Sequence, residues 1–248
     1  MAIQDLINQP VSAFVVAVGS IGDDDNLDLE GTAFLIGGRG FMLTAAHVAE
    51  ALKSKSNPIA IFLDHSLAPS FAKIVEWECH PTEDVAVLKL ENDKWESIHE
   101  LSPKRQFGSA EVMMWAYPEN VAKEHQTTVP PTDPESATVR PDLVYFQGYI
   151  RRRINRELPV SVLRGRAFYE VSQIGGSCAS GAPVTLRQPD EIWKVIGVYI
   201  GEQTSDARRE IGIVVRADAF LNWTPAILGN AVSAERPTRN SAGDNLRN

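Results

Sequence analysis

The sequence is short of the features that would set it apart from ordinary globular proteins. It has two cysteines, Cys79 and Cys178, in 248 residues. That is too few for a disulfide framework, and a reducing, cytoplasmic setting is the expectation that follows. No apolar run approaches the roughly 18–20 residues of a membrane-spanning helix. The opening residues carry an acid at Asp5 and no Lys or Arg through Pro10, so the basic segment of a secretion signal is missing. Basic charge is scarce overall: 24 Lys and Arg against 32 Asp and Glu leave a net charge of −8. Asp5, Asp23, Asp24, Asp25, Asp28 and Glu30 fall in the first 30 residues with no base among them. Such a chain is a poor general ligand for nucleic acid, whose phosphates demand cations. There is no nucleotide-binding glycine fingerprint and no His-Glu-x-x-His pattern, so neither cofactor nor metal is expected. The acidic run 23–30 lacks the glycine and closing glutamate of a calcium loop and reads as a solvated hairpin tip. The basic run Arg151-Arg152-Arg153, with Arg156 near, reads as a solvated strand end. His65, His80, His99 and His125 read as surface or loop residues.

What is present is an ordinary mixture, 44% apolar and 23% charged, which excludes a mostly disordered chain. Short apolar runs and period-2 alternation dominate. They predict strands at 13–18, 31–36, 41–45, 59–63, 71–77 and 85–90. After a break they predict six more at 112–117, 143–151, 167–172, 183–186, 193–200 and 211–215. Gly37-Gly38-Arg39-Gly40 joins the second and third as a hairpin. Many short strands with turn signals between them mean an all-β barrel or sandwich. The break, 118–141, contains Pro130, Pro131 and Pro134 and reads as a surface connection between two halves. The expected divisions are 1–117, the connection 118–141, a second half at 142–233 that borrows strand 112–117, and a frayed tail at 234–248. Helical signals are few: 46–53, and a short closing helix at 218–228 with Asp218 as its N-cap.

Three short segments carry chemistry. Leu43-Thr44-Ala45-Ala46-His47-Val48 ends an apolar strand in small residues and then a histidine. His80-Pro81-Thr82-Glu83-Asp84-Val85 places an acid before a strongly apolar strand. Gly175-Gly176-Ser177-Cys178-Ala179-Ser180-Gly181-Ala182-Pro183-Val184 is a small-residue turn that carries a serine into a strand. Each alone is an ordinary turn or cap. Together they supply what hydrolysis through a weak nucleophile needs: the nucleophile, a base for its proton, and an acid to orient the base.

In this order and combination they resemble the chymotrypsin-like (trypsin-fold) serine peptidases. The resemblance runs from about Ser12 to Leu228 and includes Gly31-Thr32-Ala33-Phe34-Leu35-Ile36. It implies an all-β fold of two six-stranded antiparallel barrels with the site in the cleft between them, and the count of six strands plus six agrees with it. By the same matching, His47 is the general base, Asp84 its orienting acid and Ser180 the nucleophile of a serine endopeptidase. The oxyanion hole is formed by the backbone N–H groups of Cys178 and Ser180. Ile174 lies at the base of the primary specificity pocket, without the acid that would favour Arg or Lys. Tyr199, Ile200 and Gly201 line that pocket and pair with the substrate backbone. The partner implied is a protein or peptide substrate, with no cofactor. A protease inside a cell needs restraint, and control is expected from the substrate, a separate regulatory protein or the loops.

The match departs from the family at two places. The family turn has glycine two residues before the nucleophile, and this chain has Cys178, whose Cβ penalises the backbone conformations glycine adopts freely. Cys178 is also a rival nucleophile, because the turn resembles that of viral chymotrypsin-like cysteine proteases. The downstream Ser-Gly-Ala-Pro-Val favours Ser180. Ala179 stands where zymogens of the family carry an acid, so activation by a freshly cut N-terminus is not expected. The alternatives are a non-catalytic or partner-activated peptide-binding module and an esterase on the same triad. Cys79 reads as a small buried hydrophobe.

Overall fold

The computed structural model describes residues 11–21, 27–63, 69–93, 95–121, 141–158, 163–187, 193–204 and 210–238. Six strands form the first barrel: β1 (Val15–Ile21), β2 (Leu27–Ile36), β3 (Phe41–Thr44), β4 (Pro58–Leu63), β5 (Pro69–Cys79) and β6 (Ala86–Leu90). They close in the order β1-β2-β3-β6-β5-β4, and closure leaves no strand edge open to pair with another chain. β1, β3 and β4 are apolar almost throughout because both of their faces are covered. Helix α1 (Ala46–Lys53) follows β3 directly.

The two-residue β7 (Glu100–Leu101) leads to β8 (Glu111–Ala116), β9 (Val144–Ile154), β10 (Phe168–Val171), β11 (Pro183–Leu186), β12 (Lys194–Thr204) and β13 (Glu210–Arg216). The order β11-β8-β9-β10-β13-β12 is closed into a second six-stranded barrel by pairing of β11 with β12. β7 adds to β12 in parallel through Lys194 and Val195. One buried cluster fills the first barrel and runs through Tyr117, Val198, Val215 and Phe220 into the junction. A second, built on Met114, Tyr169, Val184, Tyr199 and Val214, fills the other barrel. Tyr117 ties the two together, donating its hydroxyl to the Val15 carbonyl at 3.1 Å.

Each of the twelve strands expected from the sequence is present. β7 was not foreseen, since two residues carry no period. α1 has the expected bounds. The closing helix does not: α2 spans only Ala217–Phe220, and its N-cap is Arg216. The Asp218 carboxylate instead takes Arg216 Nε and Nη2 at 2.8 and 2.7 Å and Arg105 Nε at 2.7 Å. The helix ends before Pro225, which has no N–H to offer a continuing ladder.

Two histidines also differ from expectation. His99 is fully buried, with Nδ1 3.2 Å from the Leu35 carbonyl and its ring edge-on to Phe34 and Trp193. His80 is buried in the turn before β6. His65 and His125 lie outside the described residues, as do 22–26 at the acidic tip and most of the connection 118–141. Asp28 and Glu30, on β2, pair with Lys55 at 2.5 and 2.7 Å. The arginine run is an exposed end of β9, and Arg151 and Arg152 hold the buried Glu170 of β10 at 3.1 and 2.6 Å. The expected tail is docked as far as Thr238: Glu235 pairs with Arg39 at 2.6 Å, and Thr238 exchanges hydrogen bonds with Ser97. No helix among the described residues is long and apolar enough to cross a membrane.

Candidate active site

The path to His47 begins with small residues. β3 ends at Thr44, Ala45 is extended, and α1 starts at Ala46, with Ala45 and Ala46 both buried. The backbone therefore passes close under the barrel end and presents His47 on the first turn of α1. The turn before β6 is shaped by His80, whose Nδ1 accepts the amides of Thr82 and Glu83 at 3.2 and 2.9 Å. An acceptor at Nδ1 leaves the proton on Nε2. Burial and the nearby Arg164 lower this histidine's pKa, which keeps it in that neutral form.

This turn delivers Asp84, 2% exposed. Its Oδ1 accepts the His47 amide at 3.0 Å and its Oδ2 meets His47 Nδ1 at 2.9 Å. A carboxylate only accepts, so Nδ1 carries the proton and Nε2 presents a lone pair. The His47 side chain is 40% exposed, so the ring is held at one nitrogen and reachable from solvent. The paired acid and base expected from the sequence are brought together.

The Ser180 loop is fastened to the first barrel through Thr32. The Thr32 amide donates to the Ser180 carbonyl at 2.8 Å, and its hydroxyl donates to the Cys178 carbonyl at 2.9 Å. The same hydroxyl accepts the Tyr117 amide at 3.1 Å, while the Thr32 carbonyl accepts the Thr44 hydroxyl at 2.7 Å. Close approach requires Gly181, which sits at φ +96°; a methyl there would lie 1.8 Å from the Thr32 carbonyl and 2.2 Å from Thr44 Oγ1. A methyl on Gly31 would fall 2.8 Å from both Val48 γ-carbons and 2.9 Å from the Ser180 carbonyl. The loop of Ser180 and the segment 44–48 around His47 thus close on the same two points of β2. No hydrogen bond joins the Ser180 hydroxyl to His47 among the described residues.

Cys178 sits at φ +65°, a region costing roughly 1–2 kcal/mol for a residue with a Cβ. Its thiol donates to the Leu29 carbonyl at 3.3 Å, and burial pushes its pKa up to about 11. Ala179 N–H is spent within the loop on the Gly176 carbonyl at 3.3 Å. The amides of Cys178 and Ser180 have no acceptor among the described residues, so both remain available as donors.

Of the residues expected to line the specificity pocket, Ile174 is 36% exposed and Ile200 is buried. Gly201 lies at φ +132°, and among the described residues a methyl there would meet only Leu163, at 3.9 Å. Tyr199 is fully buried, its ring packed between Gly175 and Gly212, and its hydroxyl accepts the Gly175 amide at 2.9 Å. The Tyr199 backbone bonds Gly181 and Ala182 at 2.7 and 3.0 Å, and so aligns β12 with the Ser180 loop. Sequence reasoning had not given roles to Thr32 or to the segment 163–166; the Gly31–Ile36 motif was the only signal for the former. No cluster of three or more metal-binding side chains exists among the described residues.

Two closed six-stranded antiparallel barrels, with these loops at their junction, define the chymotrypsin-like fold. No protein-family model matches the sequence, and no curated protein does. Among solved structures, Deg5 superposes with a TM-score of 0.61 at 15% identity over 93% of this chain and 99% of its own. The MamO protease domain from Magnetospirillum magneticum gives 0.59 at 15% identity over 85% and 95%. The active form of the Rv3671c protease from M. tuberculosis gives 0.55 at 19% identity over 87% and 82%. At these identities the likeness is one of fold.

Proposed function

We propose that this chain is a serine endopeptidase. The observation that carries the reading is the grip of buried Asp84 on His47 through two hydrogen bonds of 3.0 and 2.9 Å. A buried acid on Nδ1 serves a base that must gain a proton at Nε2 and hold it during the reaction. His47 takes the Ser180 proton, and Ser180 Oγ attacks a peptide carbonyl, whose oxygen becomes an anion facing the amides of Cys178 and Ser180. The tetrahedral intermediate collapses to an acyl-enzyme as His47 passes the proton to the leaving amine. Water, deprotonated by His47, attacks the acyl carbonyl; the Ser180 Oγ–acyl bond breaks, His47 returns the proton to Oγ, and the acid is released. Closing the Ser180–His47 hydrogen bond on substrate binding is part of this reading, since such bonds tighten in the complex. The buried thiol, with its raised pKa, argues against Cys178 as the nucleophile, because the attacking species is a thiolate.

The open Ser180–His47 link favours one second reading, a peptide-binding module that a partner protein activates or that never cleaves. Digestion of an unfolded protein, with Ser180→Ala as the control and products read by mass spectrometry, separates the two. Fragments that vanish in Ser180→Ala are expected; intact substrate, or fragments that persist in the variant, refute the peptidase.

A further inference from the structure

The turn that carries Asp84 is covered by residues 163–166, which belong to the connection between β9 and β10 of the other barrel. The Asp84 amide donates to the Arg164 carbonyl at 3.1 Å. The Arg166 amide donates to Glu83 Oε2 at 3.1 Å. The Arg164 guanidinium reaches the His80 carbonyl and Glu50 Oε1, both at 3.3 Å, and Glu50 stands on α1 three residues after His47. One short segment therefore touches the acid's own amide, the turn that shapes it and the helix that carries its partner.

Glu83 is the unusual member of this seam. It is only 7% exposed; the Arg166 amide is its one hydrogen-bond donor among the described residues, and the buried Arg216 guanidinium acts on it through charge without a hydrogen bond. Burying a carboxylate costs free energy that one amide and a cation beyond hydrogen-bond reach offset only in part, and an apolar side chain of similar size would fill the space at less cost. The segment opposite is fitted to it. Gly165 lies at φ +128°, where side chains are rarely tolerated, and a methyl there would lie 2.4 Å from Glu83 Oε2. A carboxylate placed at this expense, next in sequence to Asp84 and against a glycine of special backbone geometry, points to a task other than stability.

We propose that Glu83 is a positioning residue. By holding the Arg166 amide against Gly165, it keeps the Arg164 carbonyl on the Asp84 amide and so fixes the carboxylate that orients His47. The inference rests on the peptidase reading for its effect on rate; the hold on Asp84 is measurable without substrate.

The test compares the wild type, Glu83→Ala and Glu83→Gln in the full chain by two readouts. The first is the low-field proton resonance of His47 Nδ1–H bound to a carboxylate. The second is kcat and KM on an unfolded protein substrate. Glu83→Ala is expected to broaden or lose the resonance and to lower kcat about 10- to 100-fold at nearly unchanged KM. Glu83→Gln keeps an acceptor oxygen and is expected to restore both. An unaltered resonance in Glu83→Ala overturns the proposal, and so does a Glu83→Gln as impaired as Glu83→Ala, which would make the charge rather than the bond the cause. Should Glu83→Ala not fold, Glu83→Met fills the same space without an acceptor for the Arg166 amide and is read the same way: a weakened resonance supports the proposal, an unaltered one refutes it. A wild type that cleaves nothing while the resonance responds as expected would refute the peptidase and leave the role of Glu83 standing.

Discussion

Replacing Thr32 by valine removes one hydroxyl and almost no volume, yet that hydroxyl serves both barrels. It donates to the Cys178 carbonyl at 2.9 Å and accepts the Tyr117 amide at 3.1 Å, in a site where Thr32 and Tyr117 are at most 1% exposed. Thr32→Val leaves a donor and an acceptor without partners, at about 1–3 kcal/mol each. The combined loss, about 2–6 kcal/mol, lowers the melting temperature by roughly 4–24 °C for a chain of this size. Thr32→Ser keeps the hydroxyl and loses only a methyl, so most of the stability should return. The assay is thermal unfolding by circular dichroism, paired with kcat on an unfolded substrate. The freed Cys178 carbonyl loosens the loop that holds the oxyanion donors, so kcat should fall by about tenfold or more. A Thr32→Val protein that melts within about 1 °C of the wild type and turns over normally would refute the idea that Thr32 fastens this loop.

Other outcomes follow from single groups. His99 is fully buried, and burial lowers its pKa from 6.5 to about 4. Between those values the unfolded chain binds a proton that the folded chain refuses, so stability falls as pH falls through that window. The full effect is roughly 3 kcal/mol; urea unfolding at several pH values should show an acid limb that His99→Phe flattens, and an unchanged limb would contradict it. With its pKa raised from 9.0 to about 11, the Cys178 thiol should react with iodoacetamide about 100-fold more slowly than a free cysteine at neutral pH, as followed by peptide mass spectrometry. Fast alkylation would reopen the case for Cys178 as nucleophile. Gly181→Ala drives a methyl to 1.8 Å from the Thr32 carbonyl, and should abolish turnover and lower the melting temperature. Normal activity in that variant would mean that the loop is not pressed against β2.

The sequence made the two halves readable because each strand carries either a period-two alternation, as in the first half of β9, or a short unbroken apolar run, as in β1. His47 and Asp84 were readable because small residues and an apolar strand bracket them. The features it hid depend on pairs far apart in the chain. Thr32 meets Cys178 across 146 positions and Tyr117 across 85, and nothing in the local pattern marks that hydroxyl as shared. Glu83 looks like any turn acid until Gly165 closes over it. His99 lies in a short polar stretch with no period, so its burial beneath Phe34 and Trp193 left no local trace. The cost of a side chain at position 178 was foreseeable from glycine's usual place there, whereas the bond of its thiol to Leu29 was not.

The central claim is that Ser180, activated by His47 and Asp84, is the nucleophile. It is tested most directly by treating the folded wild type, Ser180→Ala and Cys178→Ala with a fluorophosphonate probe and mapping the modified residue by mass spectrometry. The expected result is a label on Ser180 in the wild type, retained in Cys178→Ala and absent from Ser180→Ala. A label on Cys178, or a folded wild type that takes none, would contradict it.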